Sequence, residues 1–236
     1  MSKIGKLGGY SQISAVLELL ERVCSADEQY EYIHFFQGSD LPIKSKDEIR
    51  AFFDRNRGKE FVSIEYERTA MANNKCRYYH LFCHNRYFRK NRLVKFLNFG
   101  CVAIQKALGI CKNTDIPLLQ GSALFSITPQ FAEYLIDHKD EIRRRFRFSL
   151  AADECFIQTM IMNSPFRERL FINEQGKTCN ARLIDRTRPD GKNSPHVWRD
   201  DEMAYIEGQP AEMCFARKFD AQIAAGIVDE LRNKYS

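Results

Sequence analysis

The sequence predicts an α/β fold. Short aromatic, β-prone runs alternate with amphipathic helical repeats, and 44% of the 236 residues are hydrophobic, enough for a sizeable core. The chain shows no internal repeat, no low-complexity tract and no linker, so a single domain over 1–236 is expected. The β-prone runs lie at 30–36, 61–66 and 118–127. Helical spacing is carried by Ile13, Val16, Leu17 and Leu20, by 46–55, by 131–136, by Phe156, Ile157, Met160 and Ile161, and by 221–234.

Taken in order, residues 5–22 open on a glycine turn, Gly5-Lys6-Leu7-Gly8-Gly9, followed by Ser11, which suits an N-cap. A glycine-rich turn opening a helix can cradle phosphate or sugar oxygens. The 30–36 strand runs into Gln37-Gly38-Ser39-Asp40-Leu41-Pro42-Ile43-Lys44-Ser45. That places polar side chains at a strand's carboxyl end, where open α/β sheets bind ligands. In the plainer reading Asp40 only caps the turn. From 76 to 95, Arg77, Arg86, Arg89, Lys90, Arg92 and Lys95 are interleaved with Tyr78, Tyr79, Tyr87 and Phe88. The alternation reads as a strand followed by a solvated basic helix. Cys76, His80, Cys83 and His84 are of types that suit zinc, but along a strand Cys83 and His84 point to opposite faces, so no metal centre is expected there.

Thr128-Pro129 then opens a helix as N-cap and first helical residue. In the stretch 151–166, Asp153 fits as an N-cap and Glu154 as a first-turn acid, ahead of an apolar helical run that Pro165 stops. Two ordinary capping acids explain this pattern. An ionised, positioned carboxylate is also what a general base requires. Beyond Phe171 the chain is loop-rich, and 188–196 is irregular. Arg217 and Lys218, two adjacent cations in an aromatic frame beside the last helix, suit a diphosphate.

The balance of 36 basic against 31 acidic residues gives +5 and a pI near 8.7. This favours small anionic ligands over nucleic acid, and an RNA-binding module built on 76–95 is disfavoured by the modest net charge. Eight cysteines without a CxxC pair read as a reduced set in a cytosolic compartment. No apolar stretch approaches the roughly 20 residues of a membrane span, and Met1–Lys6 lacks the apolar core of a signal peptide, so the chain reads as soluble.

Four stretches in one order carry a resemblance: 37–45, Gly121-Ser122-Ala123-Leu124-Phe125-Ser126-Ile127-Thr128, 152–159 with Asn163-Ser164-Pro165, and Phe215-Ala216-Arg217-Lys218-Phe219-Asp220. Together they resemble the core-2/I-branching β-1,6-N-acetylglucosaminyltransferases and their xylosyltransferase relatives, family 14 of the glycosyltransferases, in the bacterial form. The resemblance starts at Gly8-Gly9-Tyr10-Ser11 and covers essentially the whole chain. It implies a GT-A-type, Rossmann-like α/β fold and inverting transfer of a sugar, N-acetylglucosamine first, from a UDP-sugar to a hydroxyl of a glycan acceptor. It implies no metal and no other cofactor, and no Asp-x-Asp occurs in the sequence. Positive side chains must then meet the charge that develops on the departing UDP.

By the resemblance Glu154 falls on the catalytic base and Lys218 on the diphosphate-binding lysine. A second basic residue is expected in the loop just before, at His196 or Arg199, and Ser11 joins the donor side. Asp40 and Glu65 lie where the family lines the acceptor pocket. Leu7 stands where the family has an aromatic near the nucleotide, and Arg186 where a tryptophan stacks on the acceptor sugar. Family members carry further residues ahead of Gly8, including the first strands of the nucleotide-binding half. The expected sheet lacks them, and its apolar edge would favour a homodimer. Two alternatives stay open: a UDP-xylose-dependent xylosyltransferase, and a non-catalytic carbohydrate-binding remnant. The bacterial form implies a cytoplasmic location, with at most peripheral association at the inner membrane.

Overall fold

The computed structural model describes residues 9–85, 87, 88, 90–188, 190 and 194–235. The elements run α1 (Tyr10–Cys24), β1 (Ile33–Phe35), β2 (Asp40–Pro42), α2 (Lys46–Arg55), α3 (Thr69–Cys76), α4 (Arg92–Ala107), β3 (Phe125–Ile127), α5 (Pro129–Asp137), α6 (Lys139–Phe146), α7 (Phe156–Met162), β4 (Arg182–Ile184), α8 (Met203–Glu207), β5 (Phe215–Arg217) and α9 (Ala225–Tyr235). The α/β class holds. Both sheets are small: β1 pairs antiparallel with β3, while β5 lies between β2, antiparallel to it, and β4, parallel to it. The parallel pair, β4 and β5, is joined through α8, as a parallel crossover requires.

Side chains cap three of the helices, Ser45 at α2, Asn91 at α4 and Thr128 at α5. Ser45 caps α2 in a capping box with Glu48, and Thr128 caps α5 with Pro129 in the first turn. In α1 the expected apolar face of Ile13, Val16, Leu17 and Leu20 is buried, but Gly9 is the N-cap and Ser11 lies inside the first turn.

Two expected strands fail, each for a traceable reason. Over 76–84 the chain leaves α3 and turns, because side-chain amides of α4 take the backbone groups a neighbouring strand would need. Gln105 accepts from the Tyr79 N–H at 2.8 Å and donates to its carbonyl at 2.9 Å. Asn98 accepts from the Phe82 N–H and pairs with His80 Nδ1 at 2.9 Å. The second His80 nitrogen meets the Asn74 carbonyl, so this histidine serves packing. Over 61–66 the backbone bonds go to separate partners: Phe61 to Ser126, Ile64 to the Thr178 hydroxyl and Glu65 to the Gln120 carbonyl. Only isolated bridges result. All eight cysteines are free thiols.

The main core packs α1, α5 and α7 around Phe125, Phe131, Phe146 and Phe156. A second core gathers Ile43, Ile206, Phe219 and Leu231 around the fully buried Trp198. Each such side chain contributes about 1.5–3 kcal/mol by leaving water. Arg182, buried at the start of β4, ties the two sheets by donating to the carbonyls of Phe35 and Phe125 at 3.1 and 2.8 Å. Burial pushes its guanidinium down to about 10.

Glu60 is buried beside the end of β3, accepting from the Thr128 N–H at 2.9 Å and from the Thr128 hydroxyl. Burial pushes its carboxyl up to about 7, against the lowering effect of the Thr128 hydrogen bonds. The folded protein therefore holds this proton more tightly than the unfolded chain does. The associated stability is fully present below pH 4.5 and is lost as pH rises through about 7. Glu60→Gln is expected to flatten that dependence. Compared with the parent, the variant should gain up to about 3 kcal/mol between pH 4.5 and pH 8, read by urea unfolding at the two pH values.

Candidate active site

The Asp153-Glu154 pair does not cap a helix. Both residues lie in a 3₁₀ turn, Ala152–Glu154, and Cys155 stands at the N-cap of α7 without a side-chain hydrogen bond. What holds this turn is the second motif: the Gly121 N–H donates to the Glu154 carbonyl at 2.9 Å. Deeper in α7, Gln158 donates to the Ser122 carbonyl at 2.6 Å, and Thr159 accepts from the Leu119 N–H at 3.1 Å. The Gly-Ser-Ala and Ala-Asp-Glu stretches are thus two halves of one hydrogen-bonded frame. The frame is buried, so these bonds are sheltered from competing water.

The Glu154 side chain stands out from that frame, 40% exposed. Its Oε2 accepts from Lys75 Nζ at 2.6 Å and from Gln120 Nε2 at 3.4 Å. Its Oε1 has no partner among the described residues. One oxygen is anchored and the other is open to take a proton. Lys75, on α3, was not singled out by sequence: it is one cation in a basic region, 79 residues from its partner, with no motif of its own. Glu65 is brought close to this group, its N–H donating to the Gln120 carbonyl at 2.8 Å while its carboxylate pairs with Arg68 at 2.9 Å.

Lys218 lies just past β5, where the chain runs beside 196–198. Its N–H donates to the His196 carbonyl at 3.3 Å, and its carbonyl accepts from the Trp198 N–H at 3.0 Å. The Lys218 ammonium has no hydrogen bond or ion pair among the described residues. The two candidates for a second cation are engaged inside the protein. His196 is sandwiched between Asp190 at 3.0 Å and Glu202 at 2.8 Å, and Arg199 pairs with Asp190. Arg188 binds Asp185 at 2.8 Å and Glu202 at 2.7 Å. Burial would raise Asp185, but hydrogen bonds from Thr187 and Arg188 more than offset it and hold the carboxyl well below its usual range. These pairs fasten the loop around His196 and Arg199.

Asp40 has a different placement from the acceptor wall expected of it. Its side chain is 1% exposed, paired with Arg217 at 2.7 Å and accepting from the Gln37 N–H at 2.8 Å. Opposite Arg217 in the β2–β5 register, it positions the strand that delivers Lys218. Ser11 lines a cleft of about 250 Å³ with Gln37, Ala123, Asp153 and Phe156. Arg186 is exposed after β4, and Leu7 lies outside the described residues. Among the described residues no group of three or more His, Cys, Asp or Glu side chains is placed to hold a metal ion.

Small mixed sheets wrapped by helices, with the motif carboxylate on a turn beside them, are consistent with a GT-A-like glycosyltransferase fold. The family model described as Core-2/I-Branching enzyme matches residues 2–201, and the chain belongs to that family of glycosyltransferases. The chain is similar to Xylosyltransferase 1 of Homo sapiens, 23% identical over an alignment 242 residues long, gaps included, that covers 95% of this chain and 23% of that protein. It is similar to Xylosyltransferase sqv-6 of Caenorhabditis elegans, 25% identical over an alignment 236 residues long, gaps included, that covers 92% of this chain and 27% of the relative. Xylosyltransferase 2 of Rattus norvegicus is 22% identical over an alignment 219 residues long, gaps included, that covers 86% of this chain and 23% of the relative. The chain spans about a quarter of the length of these relatives.

Proposed function

We propose that this chain transfers a sugar, N-acetylglucosamine first among the candidates, from a UDP-sugar to a hydroxyl of a glycan acceptor with inversion. The observation that supports this most is Glu154, a carboxylate with Oε2 held by Lys75 and Gln120 and Oε1 left open. In this reading the acceptor hydroxyl passes its proton to Oε1 while its oxygen attacks the anomeric carbon. The bond from that carbon to the UDP oxygen breaks in the same displacement, so the configuration inverts. Negative charge grows on the departing diphosphate, and Lys218, just past β5, meets it without a metal. Glu65 and the Gln120 segment border the acceptor, and the cleft at Ser11 serves the donor.

Hydrolysis of a panel of UDP-sugars by the purified protein tests this reading. UDP-N-acetylglucosamine is expected to turn over fastest. A preference for UDP-xylose, the donor that the names of the relatives bring forward, would move the assignment to a xylosyltransferase. Glycan binding with no turnover of any donor would leave the carbohydrate-binding remnant.

Lys218→Ala is expected to weaken UDP binding about tenfold or more, the scale of one charge-assisted hydrogen bond, as read by calorimetry. Arg199→Ala should change it far less, because Asp190 already holds that guanidinium. Equal losses in the two variants would remove Lys218 from the donor site.

A further inference from the structure

We propose that α4 docks this protein on an anionic phospholipid surface, with its apolar face in the membrane interface and its flanking cations against the headgroups. The helix is attached to the body by one narrow face, on which Asn98, Val102 and Gln105 are buried. Away from it, Leu93, Phe96, Leu97, Ile104 and Leu108 recur at helical spacing and stand 62%, 72%, 45%, 60% and 67% exposed. An apolar groove of about 300 Å³ beside Ile104, lined also by Leu81 and Ile110, continues the surface. A contiguous exposed apolar face of this kind marks an interaction site.

Charge identifies the occupant. Ten of the chain's 36 basic residues and none of its 31 acidic ones lie between 68 and 114, so that segment carries +10 and the rest of the chain a net −5. On α4 itself Arg92, Lys95 and Lys106 border the apolar face, and the helix contains no acid. An apolar face edged by cations alone is complementary to anionic lipid. A second copy of the chain is disfavoured, since a two-fold contact would set this cationic strip against itself. RNA is disfavoured because the exposed aliphatic side chains Leu93, Leu97, Ile104 and Leu108 outnumber the two exposed rings of this helix, Phe96 and Phe99, on which bases could stack. No helix among the described residues is long and apolar enough to cross a membrane, so the contact proposed is peripheral.

Flotation of the full chain with vesicles tests the proposal. The chain is expected to float with phosphatidylcholine vesicles containing about 30% phosphatidylglycerol, and not with phosphatidylcholine alone. Phe96→Ser with Ile104→Ser should weaken partition about tenfold or more. Lys95→Ala with Lys106→Ala should weaken it by about fivefold per cation. Both pairs are exposed, so circular dichroism and UDP affinity should match the parent. The proposal is overturned if the parent chain does not float with the anionic vesicles, or if flotation survives the serine pair. It is equally overturned by tighter binding of a single-stranded RNA oligomer than of vesicles, or by a dimer in light scattering that the serine pair dissolves.

Discussion

Glu154→Gln is expected to lower transfer about 10²–10⁴-fold, the span that a positioned acid or base contributes, while UDP affinity stays at the parent value. The substitution keeps the shape of the side chain and an oxygen that can still accept from Lys75, so the 3₁₀ turn and its Gly121 hydrogen bond should persist. What it removes is the capacity of Oε1 to take a proton. The loss should therefore fall on kcat, because an interaction needed only as the acceptor attacks is absent from the donor complex. Turnover within about tenfold of the parent would show that another group accepts the proton. Lys75→Met separates positioning from chemistry: it leaves Glu154 in place and Oε2 with only the longer Gln120 hydrogen bond, so kcat should fall by less than in Glu154→Gln. Full activity in Lys75→Met would mean that the 2.6 Å pair is not needed to aim the base.

The sequence made the helices legible wherever capping chemistry and apolar spacing agreed, as in α2 with Ser45 and Glu48 or α5 with Thr128 and Pro129. It failed where side chains replaced backbone partners. Tyr79 and His80 alternate as a strand would, yet Gln105 and Asn98 on a helix some 20 residues away hold them in turns. At the site, Glu154 was legible because it stands in a motif, and its neighbour Asp153 was misplaced as a cap because a 3₁₀ turn and an N-cap share the same residue preferences. Lys75 was not legible, since a cation that meets its carboxylate across 79 residues leaves no local pattern. Asp40 and His196 show the converse. Residue types that suit a ligand are here satisfied by Arg217, Asp190 and Glu202 within the fold.

Gly121→Ala is expected to destabilise the protein by about 3 kcal/mol or more, lowering Tm by roughly 6–12 °C. A Cβ at this position would stand 2.0 Å from the Ser63 carbonyl oxygen and 3.0 Å from Gln158 Nε2. Neither neighbour can yield easily. Ser63 is backbone between the buried Val62 and Ile64, and Gln158 is buried in α7, bonded to the carbonyls of Ser63 and Ser122. The glycine is required for close approach: Gly121 has no positive φ, so the penalty comes from contact rather than from backbone strain. Because the Gly121 N–H also holds the Glu154 carbonyl, any shift that makes room for the methyl moves the turn that carries the base. Residual activity should thus fall further than the folded fraction does, a gap that thermal unfolding and turnover measured on the same sample would show. A Tm unchanged in Gly121→Ala would mean that the segments at Ser63 and Gly121 separate without cost, and that the frame beneath Glu154 is looser than its hydrogen bonds imply.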